Sequence, residues 1–240
     1  MLFAHGQRAQ VAVVSVQSRG KAILTCFEDG TTVYSHNQLY GRWITRRRGG
    51  VPETNRSLRF AVHNAKHSAF LYSASDIEIL AQEDVNTHPY LQKLGPDPLL
   101  EEVSEAEILQ RFKDPKFSRR QLGTLLLDQG FVGGIGNYLR SEILWYAGVH
   151  PKAKLAELEQ TRLELLAQGT YLLMQRAYET GGVTNEPDRV AKMKANGIRR
   201  RDYRHFVFGH ESKPCPTCDE AIIREDHASR RVYLCPSCQR

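Results

Sequence analysis

From the start to about residue 92, apolar and polar positions alternate with a period of two. That is the mark of strands with one buried face. Residues 11–16 and 22–27 read as strands, and Asp29-Gly30 is a hairpin turn into a third at 31–34. Residues 57–62 and 69–72 form a further hairpin across 64–67. Turns at such short intervals predict a β-sandwich. At Gly95-Pro96-Asp97-Pro98 the pattern breaks into a linker, and the period becomes helical. Helices are predicted over 104–112, with Ser104 as N-cap, and over 117–129, carrying Leu122, Leu125 and Leu126. Two more are predicted over 137–147 and, long and amphipathic, over 155–178. Residues 181–210 turn polar and rich in Gly and Arg, and are expected to be a loop leading to the C-terminal segment.

Between two of these helices lies Gly130-Phe131-Val132-Gly133-Gly134-Ile135-Gly136-Asn137. Glycines allow positive φ and close backbone approach. Asn137 stands where a helix should begin, as a candidate N-cap. Such a turn either presents free N–H groups to a phosphate or is simply a tight packing turn. Sequence alone leaves the two readings equal.

The last thirty residues fix a chemistry. Cys215 and Cys218, then Cys235 and Cys238, form two C-x2-C pairs with sixteen residues between them. Four thiolates on two tight knuckles suit one structural tetrahedral Zn²⁺. Residues 221–223 and 232–234 read as short strands of a hairpin, with a polar turn over 225–229. Two disulfides or a redox pair are the alternative. The start shows no signal peptide and Cys26 is an unmatched fifth cysteine, which favours a reducing compartment and hence zinc. A hairpin this small buries little by itself, so the metal is expected to hold it together.

The chain has 240 residues and a net charge of +6. Residues 191–240 hold eleven Lys or Arg and six Asp or Glu, so most of the excess sits beside and within the zinc segment. Arg46-Arg47-Arg48 and Arg199-Arg200-Arg201 are two basic runs. Either could be a solvated loop, but basic runs beside a zinc hairpin point to a phosphate backbone as partner. No apolar run approaches the length of a transmembrane helix. The expectation is a cytoplasmic protein with no membrane partner.

Several motifs together carry a resemblance. Gly133-Gly134-Ile135-Gly136-Asn137-Tyr138-Leu139-Arg140, followed by Glu142-Ile143-Leu144, resembles the helix–two-turn–helix signature of the formamidopyrimidine-DNA glycosylase and endonuclease VIII family. Ser18-Arg19-Gly20-Lys21-Ala22 and Tyr34-Ser35-His36-Asn37-Gln38-Leu39-Tyr40-Gly41 resemble its β-domain motifs. Leu71-Tyr72-Ser73-Ala74-Ser75-Asp76-Ile77-Glu78 resembles the bacterial endonuclease VIII branch, and the cysteine quartet with Arg230 resembles its zinc finger.

The resemblance implies an α+β multidomain fold: a β-sandwich over 1–94, a helix–two-turn–helix domain with a loop over 95–205, and a zinc-finger β-hairpin over 206–240. It implies base-excision DNA repair by a DNA glycosylase and abasic-site lyase that excises oxidised pyrimidines and cleaves the strand by β,δ-elimination. The partner would be double-stranded DNA with oxidised bases or abasic sites, bound by a monomer in a bacterial, nucleoid-associated setting. Lys21 would donate a proton and contact phosphate during elimination. Arg230 would grip phosphate at the finger tip and serve the second elimination. Asn137 and Lys93 would contact DNA, Lys93 where the branch usually carries arginine. Gln38, Leu39 and Tyr40 would fill the gap left by an everted nucleotide, Gln38 also contacting DNA. For Leu39 and Tyr40 the plain alternative is sandwich packing.

The family begins, after loss of Met, with Pro-Glu, its nucleophile and acid. This sequence begins Met1-Leu2-Phe3-Ala4-His5-Gly6, which supplies neither a secondary amine nor a carboxylate. The expectation is therefore little or no base excision by the chain as written, or a start further upstream. The competing readings are a catalytically impaired damaged-DNA-binding protein and a zinc-dependent RNA-binding or regulatory protein.

Overall fold

The computed structural model describes residues 11–100 and 102–240. The start from Met1 to Gly6 lies outside them. Two compact units divide between Lys93 and Leu94.

The first unit holds seven strands: β1 (Val13–Arg19), β2 (Ala22–Phe27), β3 (Thr31–His36), β4 (Arg42–Arg47), β5 (Leu58–His63), β6 (His67–Tyr72) and β7 (Asp76–Ala81). All pair antiparallel, in sheets ordered β1-β2-β3-β7 and β4-β6-β5. Val33 and Ile77 of one sheet meet Leu71 of the other, with Trp43 and Phe60 packed beside them. This is the expected β-sandwich. The reverse face of the first sheet, Ala22, Leu24, Tyr34 and Leu80, packs with Val85 of α1 (Gln82–Val85) and with Tyr90 and Leu91 of α2 (Pro89–Gln92). Two strands go beyond the sequence reading. Arg46 and Arg47, read as part of a basic loop, end strand β4, whose edge position leaves those charges in solvent. β7 also lies at an edge.

The second unit is helical with a terminal hairpin. Helix α3 (Glu105–Lys113) begins as expected, Ser104 Oγ accepting from the Glu107 N–H at 3.2 Å. The helix predicted over 117–129 is a correction. Only a 3₁₀ turn at Pro115–Phe117 and the single turn α4 (Leu122–Leu125) form there. The N–H groups of Leu122 and Gly123 bond instead to Ala153 and Pro151 carbonyls, which anchors the turn to a neighbouring segment. Helix α5 spans Asn137–Tyr146. The long helix predicted from 155 is interrupted. A 3₁₀ turn at Leu155–Glu157, closed by Glu157 accepting from the Lys154 N–H, precedes α6 (Gln160–Glu179). The loop expected over 181–210 contains α7 (Pro187–Ala195) and α8 (Arg200–Tyr203). Pro187 at the first helical position was the available signal.

The hairpin is β8 (Ile223–His227) and β9 (Arg230–Leu234). Its turn is tighter than expected: Ala228 and Ser229 both have positive φ, 51° and 61°, the left-handed pair of a two-residue hairpin turn. Nor is the hairpin coreless. Ile222, Tyr233, Cys215 and Cys235 join the same buried cluster as Leu122, Phe131 and Ile143. Among the described residues no helix is long and apolar enough to cross a membrane.

Candidate nucleic-acid interface and metal centre

Glycines at 130, 133 and 134 are used for packing. Their N–H groups donate to Asp128 Oδ1, Pro96 O and Gln129 Oε1 at 2.8, 2.9 and 3.0 Å. Gly134 has φ +88°, and a Cβ there would stand 2.8 Å from Met174 Cε. The N–H groups left for an anion are therefore those of the first turn of α5, which no side chain caps. Asn137 is not the N-cap, a correction to the sequence reading: Gly136 holds that position. Freed from capping, Asn137 Nδ2 donates to Arg231 O at 2.9 Å and its Oδ1 accepts from Arg140 at 2.8 Å. An amide nitrogen carries two hydrogens, so one remains for an external acceptor.

Arg140, to which the sequence pattern assigns no role, joins these groups. It is fully buried. Its guanidinium donates to Gly123 O at 2.9 Å, to Arg231 O at 3.0 Å and to Arg230 O at 3.2 Å, besides Asn137. Burial, then the nearby Arg230 charge, brings its pKa down to about 10, so it still carries its proton at neutral pH. The start of α5 and the basic end of the hairpin are thereby tied into one surface, with the Arg230 and Arg231 side chains exposed. His227 completes the joint, its Nε2 3.1 Å from Thr124 Oγ1. The ring also explains Gly123, where a Cβ would stand 2.8 Å from His227 Cδ2.

Glu142, two residues further along α5, is buried and accepts from the N–H groups of Phe206, Val207 and Phe208 at 2.7, 2.9 and 2.9 Å, and from Thr184 Oγ1 at 2.6 Å. This carboxylate ties the 206–208 segment to α5. Beside it, His205 stacks on Tyr138 at 5.0 Å and 15°. Burial, then the Arg204 charge, lowers the His205 pKa to about 4. The folded ring thus resists a proton that the unfolded chain accepts near pH 6.5. Stability from this group is complete above pH 6.5 and falls as pH drops toward 4. We expect a loss of roughly 2 kcal/mol by pH 5. Urea unfolding at pH 7 and pH 5 measures it, and His205→Phe should flatten the difference; an unchanged pH dependence would discard the assignment.

The four cysteine sulfurs lie within 4.8 Å of one another. Individual separations are 3.3 Å for Cys218–Cys238, 3.4 Å for Cys218–Cys235 and 3.9 Å for Cys215–Cys238. A tetrahedral ion with sulfur at about 2.3 Å needs edges of about 3.8 Å, so the donor set fits a metal ion. Donors surround it: Cys238 N–H reaches Cys235 Sγ and Trp145 Nε1 reaches Cys215 Sγ, each at 3.4 Å. Burial pushes the Cys215 thiol up, but hydrogen bonds from the Thr217 backbone and Trp145 outweigh it and bring the thiol down to about 7. Gln239, missed by the sequence reading, accepts from Cys235 N and donates to Val149 O, stitching the second knuckle to the segment after α5.

In the first unit, Lys21 sits in the β1–β2 turn after Gly20, which has φ +58°. Its N–H donates to Tyr90 Oη at 3.1 Å. Burial lowers the His36 pKa, with Asp76 opposing and the Lys21 charge reinforcing the shift, so Lys21, His36 and Asp76 share one patch. Gln38 belongs to it as well. Its N–H donates to His36 Nδ1 at 3.0 Å, and its side chain donates to Asp76 at 3.1 Å. Leu39 and Tyr40 are 80% and 71% exposed, so sandwich packing does not explain them. Gly41 closes the loop: a Cβ there would stand 2.6 Å from Asn37 backbone atoms. Lys93 is exposed at the end of α2.

Comparison with known proteins follows the same lines. Residues 94–188 match the formamidopyrimidine-DNA glycosylase H2TH domain. Endonuclease 8 of Enterobacter sp. (strain 638) is 41% identical over 228 residues, which are 95% of this chain and 83% of that protein. The chain belongs to the formamidopyrimidine-DNA glycosylase and endonuclease VIII family. Endonuclease 8 of Escherichia coli O17:K52:H18 is similar to the same degree, 41% over 227 residues. The family's fold recurs in a Lactococcus lactis formamidopyrimidine-DNA glycosylase complexed with DNA containing a FAPY-dG lesion. That structure has TM-score 0.77 at 21% identity and covers 96% of this chain and 83% of the other. A complex of the Lactococcus lactis protein with abasic-site DNA aligns equally well, at TM-score 0.77. The family is one of DNA-repair glycosylases and abasic-site lyases, and this chain carries its helix–two-turn–helix domain and a four-cysteine cluster able to hold a metal ion.

Proposed function

We propose that this protein binds DNA at oxidised pyrimidines and abasic sites and cleaves the strand there. The observation that carries the reading is the Arg140 bridge, which makes the uncapped start of α5 and the basic hairpin end a single surface. A phosphate held by the α5 N–H groups would also meet Asn137 Nδ2 and the exposed Arg230. The metal is proposed to be one structural Zn²⁺ on Cys215, Cys218, Cys235 and Cys238, which holds the two knuckles below that surface. Lys93 is proposed as a further phosphate contact.

In the first unit, Gln38, Leu39 and Tyr40 are proposed as the wedge. An apolar pair held out in solvent costs the free protein, and filling a vacated base stack recovers that cost. Strand cleavage needs an amine at the sugar aldehyde and proton transfer to and from it. Lys21 is assigned to that chemistry and Arg230 to the second elimination. Burial, reinforced by the Lys21 charge and opposed by Asp76, lowers the His36 pKa and so favours the neutral imidazole, a proton acceptor.

A single-turnover nicking assay on a duplex with a central abasic site tests the reading, run beside one containing thymine glycol. Borohydride should trap a covalent adduct on the abasic duplex, and Lys21→Ala should abolish it. Asn137→Ala should weaken binding to an abasic-analogue duplex about tenfold, the effect of one hydrogen bond to a charged group. Arg230→Ala should do the same and stop the products at the first elimination. Wild-type affinity in both variants would mean that the DNA does not lie on this surface. Replacing Leu39 and Tyr40 together by Ala should weaken binding to an abasic-analogue duplex more than binding to an intact duplex; equal weakening would remove the wedge role.

A further inference from the structure

Helix α7 has no buried residue. A nine-residue helix gains most of its stability from packing and is marginal by itself, so one that only half-buries Val190 and Met193 invites a partner. Its exposed cations are poorly compensated. Arg189 and Lys192, three apart and so on one face, have no carboxylate within 4.0 Å among the described residues. Beyond the α7 end, Arg199 and Arg201 share a single acid, Asp202, which also binds Lys213. The segment is fixed to α5 rather than adrift. Thr184, just before α7, is bonded to Glu142, and Asn185 donates to Tyr203 O at the end of α8. Arg204 acts electrostatically on Tyr138, the neighbour of Asn137. The chain on either side of α7 is therefore held to α5.

We propose that α7 and the Arg199–Arg201 run form a second DNA-backbone contact surface, which extends the footprint beyond the phosphate at the start of α5. The inference rests on DNA being the substrate. Exposed cations without a carboxylate partner, on a helix with no fully buried residue, suit a polyanion. Each phosphate they neutralise releases counterions, so the contact must appear in the salt dependence of binding. Tyr203, over whose ring Lys194 lies at 5.4 Å, anchors the inner side of the face.

The test compares the full chain with the double variant Arg189→Ala, Lys192→Ala. Binding to an abasic-analogue duplex is titrated by fluorescence anisotropy across a salt series, with long flanks and with flanks trimmed to the lesion's immediate neighbours. On the long duplex the slope of log affinity against log salt should become shallower by about 1.8. On the trimmed duplex wild type and variant should converge. Arg189→Lys should keep the wild-type slope. An unchanged slope in the double variant overturns the proposal, and so does a changed slope in Arg189→Lys, which would signal a packing role. If wild type itself shows no salt-dependent binding to the abasic duplex, the DNA reading fails along with it.

Discussion

Arg140→Met should abolish tight binding to abasic-analogue DNA, although Arg140 is fully buried and reaches no solvent-facing ligand. The guanidinium satisfies carbonyls of Gly123, Arg230 and Arg231 and the Asn137 amide oxygen at once. Methionine fills similar volume but donates nothing. Gly123 O and the Asn137 amide oxygen would lose this donor, and Arg231 O would keep only its bond from Asn137, or the hairpin would lift to let water in. Each stranded group costs about 1–3 kcal/mol. Allowing for partial rehydration, we expect a loss of roughly 3 kcal/mol, or about 6–12 °C in Tm for a unit of this size. Arg140→Lys should fail to rescue, because an ammonium on a flexible stem cannot span four acceptors in fixed planar directions. Thermal unfolding and anisotropy titration measure the two effects. A Met variant that keeps both Tm and affinity would show that the hairpin is held by other contacts.

Removing the metal should be comparably severe for binding but milder for the fold. Four sulfurs within 4.8 Å repel once ionised, and a divalent cation relieves that repulsion. Structural zinc sites bind with about 10–16 kcal/mol, as much as a whole domain's stability. Cysteine spacing on so small a hairpin therefore predicts folding that depends on the metal. The structure changes the expected result, because Ile222 and Tyr233 are packed into the helical core. Phe208 also meets the Tyr233 ring at 5.0 Å. After chelation under reducing conditions, far-UV circular dichroism should keep most of its helical signal. DNA affinity should fall by about a hundredfold or more, the range of two to three charge-assisted contacts. Metal analysis should give one zinc per chain before chelation. Full DNA affinity in metal-free protein would refute a structural role for the cluster.

The parts of the site legible in the sequence are those whose chemistry is local. Two C-x2-C knuckles state a metal geometry by spacing alone. Period-two runs with short turns announce a sandwich, and Ser104 marks a helix start with its own hydroxyl. Failures occurred where long-range partners override local pattern. Leu122, Leu125 and Leu126 have helical spacing, yet the chain makes one turn because Ala153 and Pro151 take its N–H groups. Asn137 has the residue type of an N-cap, yet its side chain is claimed by residues some ninety positions away on the hairpin.

The sequence by itself determined the family, the cysteine quartet with metal-ligand spacing, the β-rich first part and the cationic balance of the last fifty residues. Tertiary structure decided which of those residues act together. Arg140 and Glu142 look from sequence like two ordinary charges on a helix. Burial makes them anchors, because a charge removed from water must be met by fixed dipoles, and here these come from backbone distant in sequence. Leu39 and Tyr40 present the converse. Sequence could read them equally well as core, and only their exposure on a loop tied to His36 and Asp76 removes the packing reading. Local pattern encodes which groups exist, while desolvation and hydrogen-bond partners, set only in the folded chain, decide what each can do.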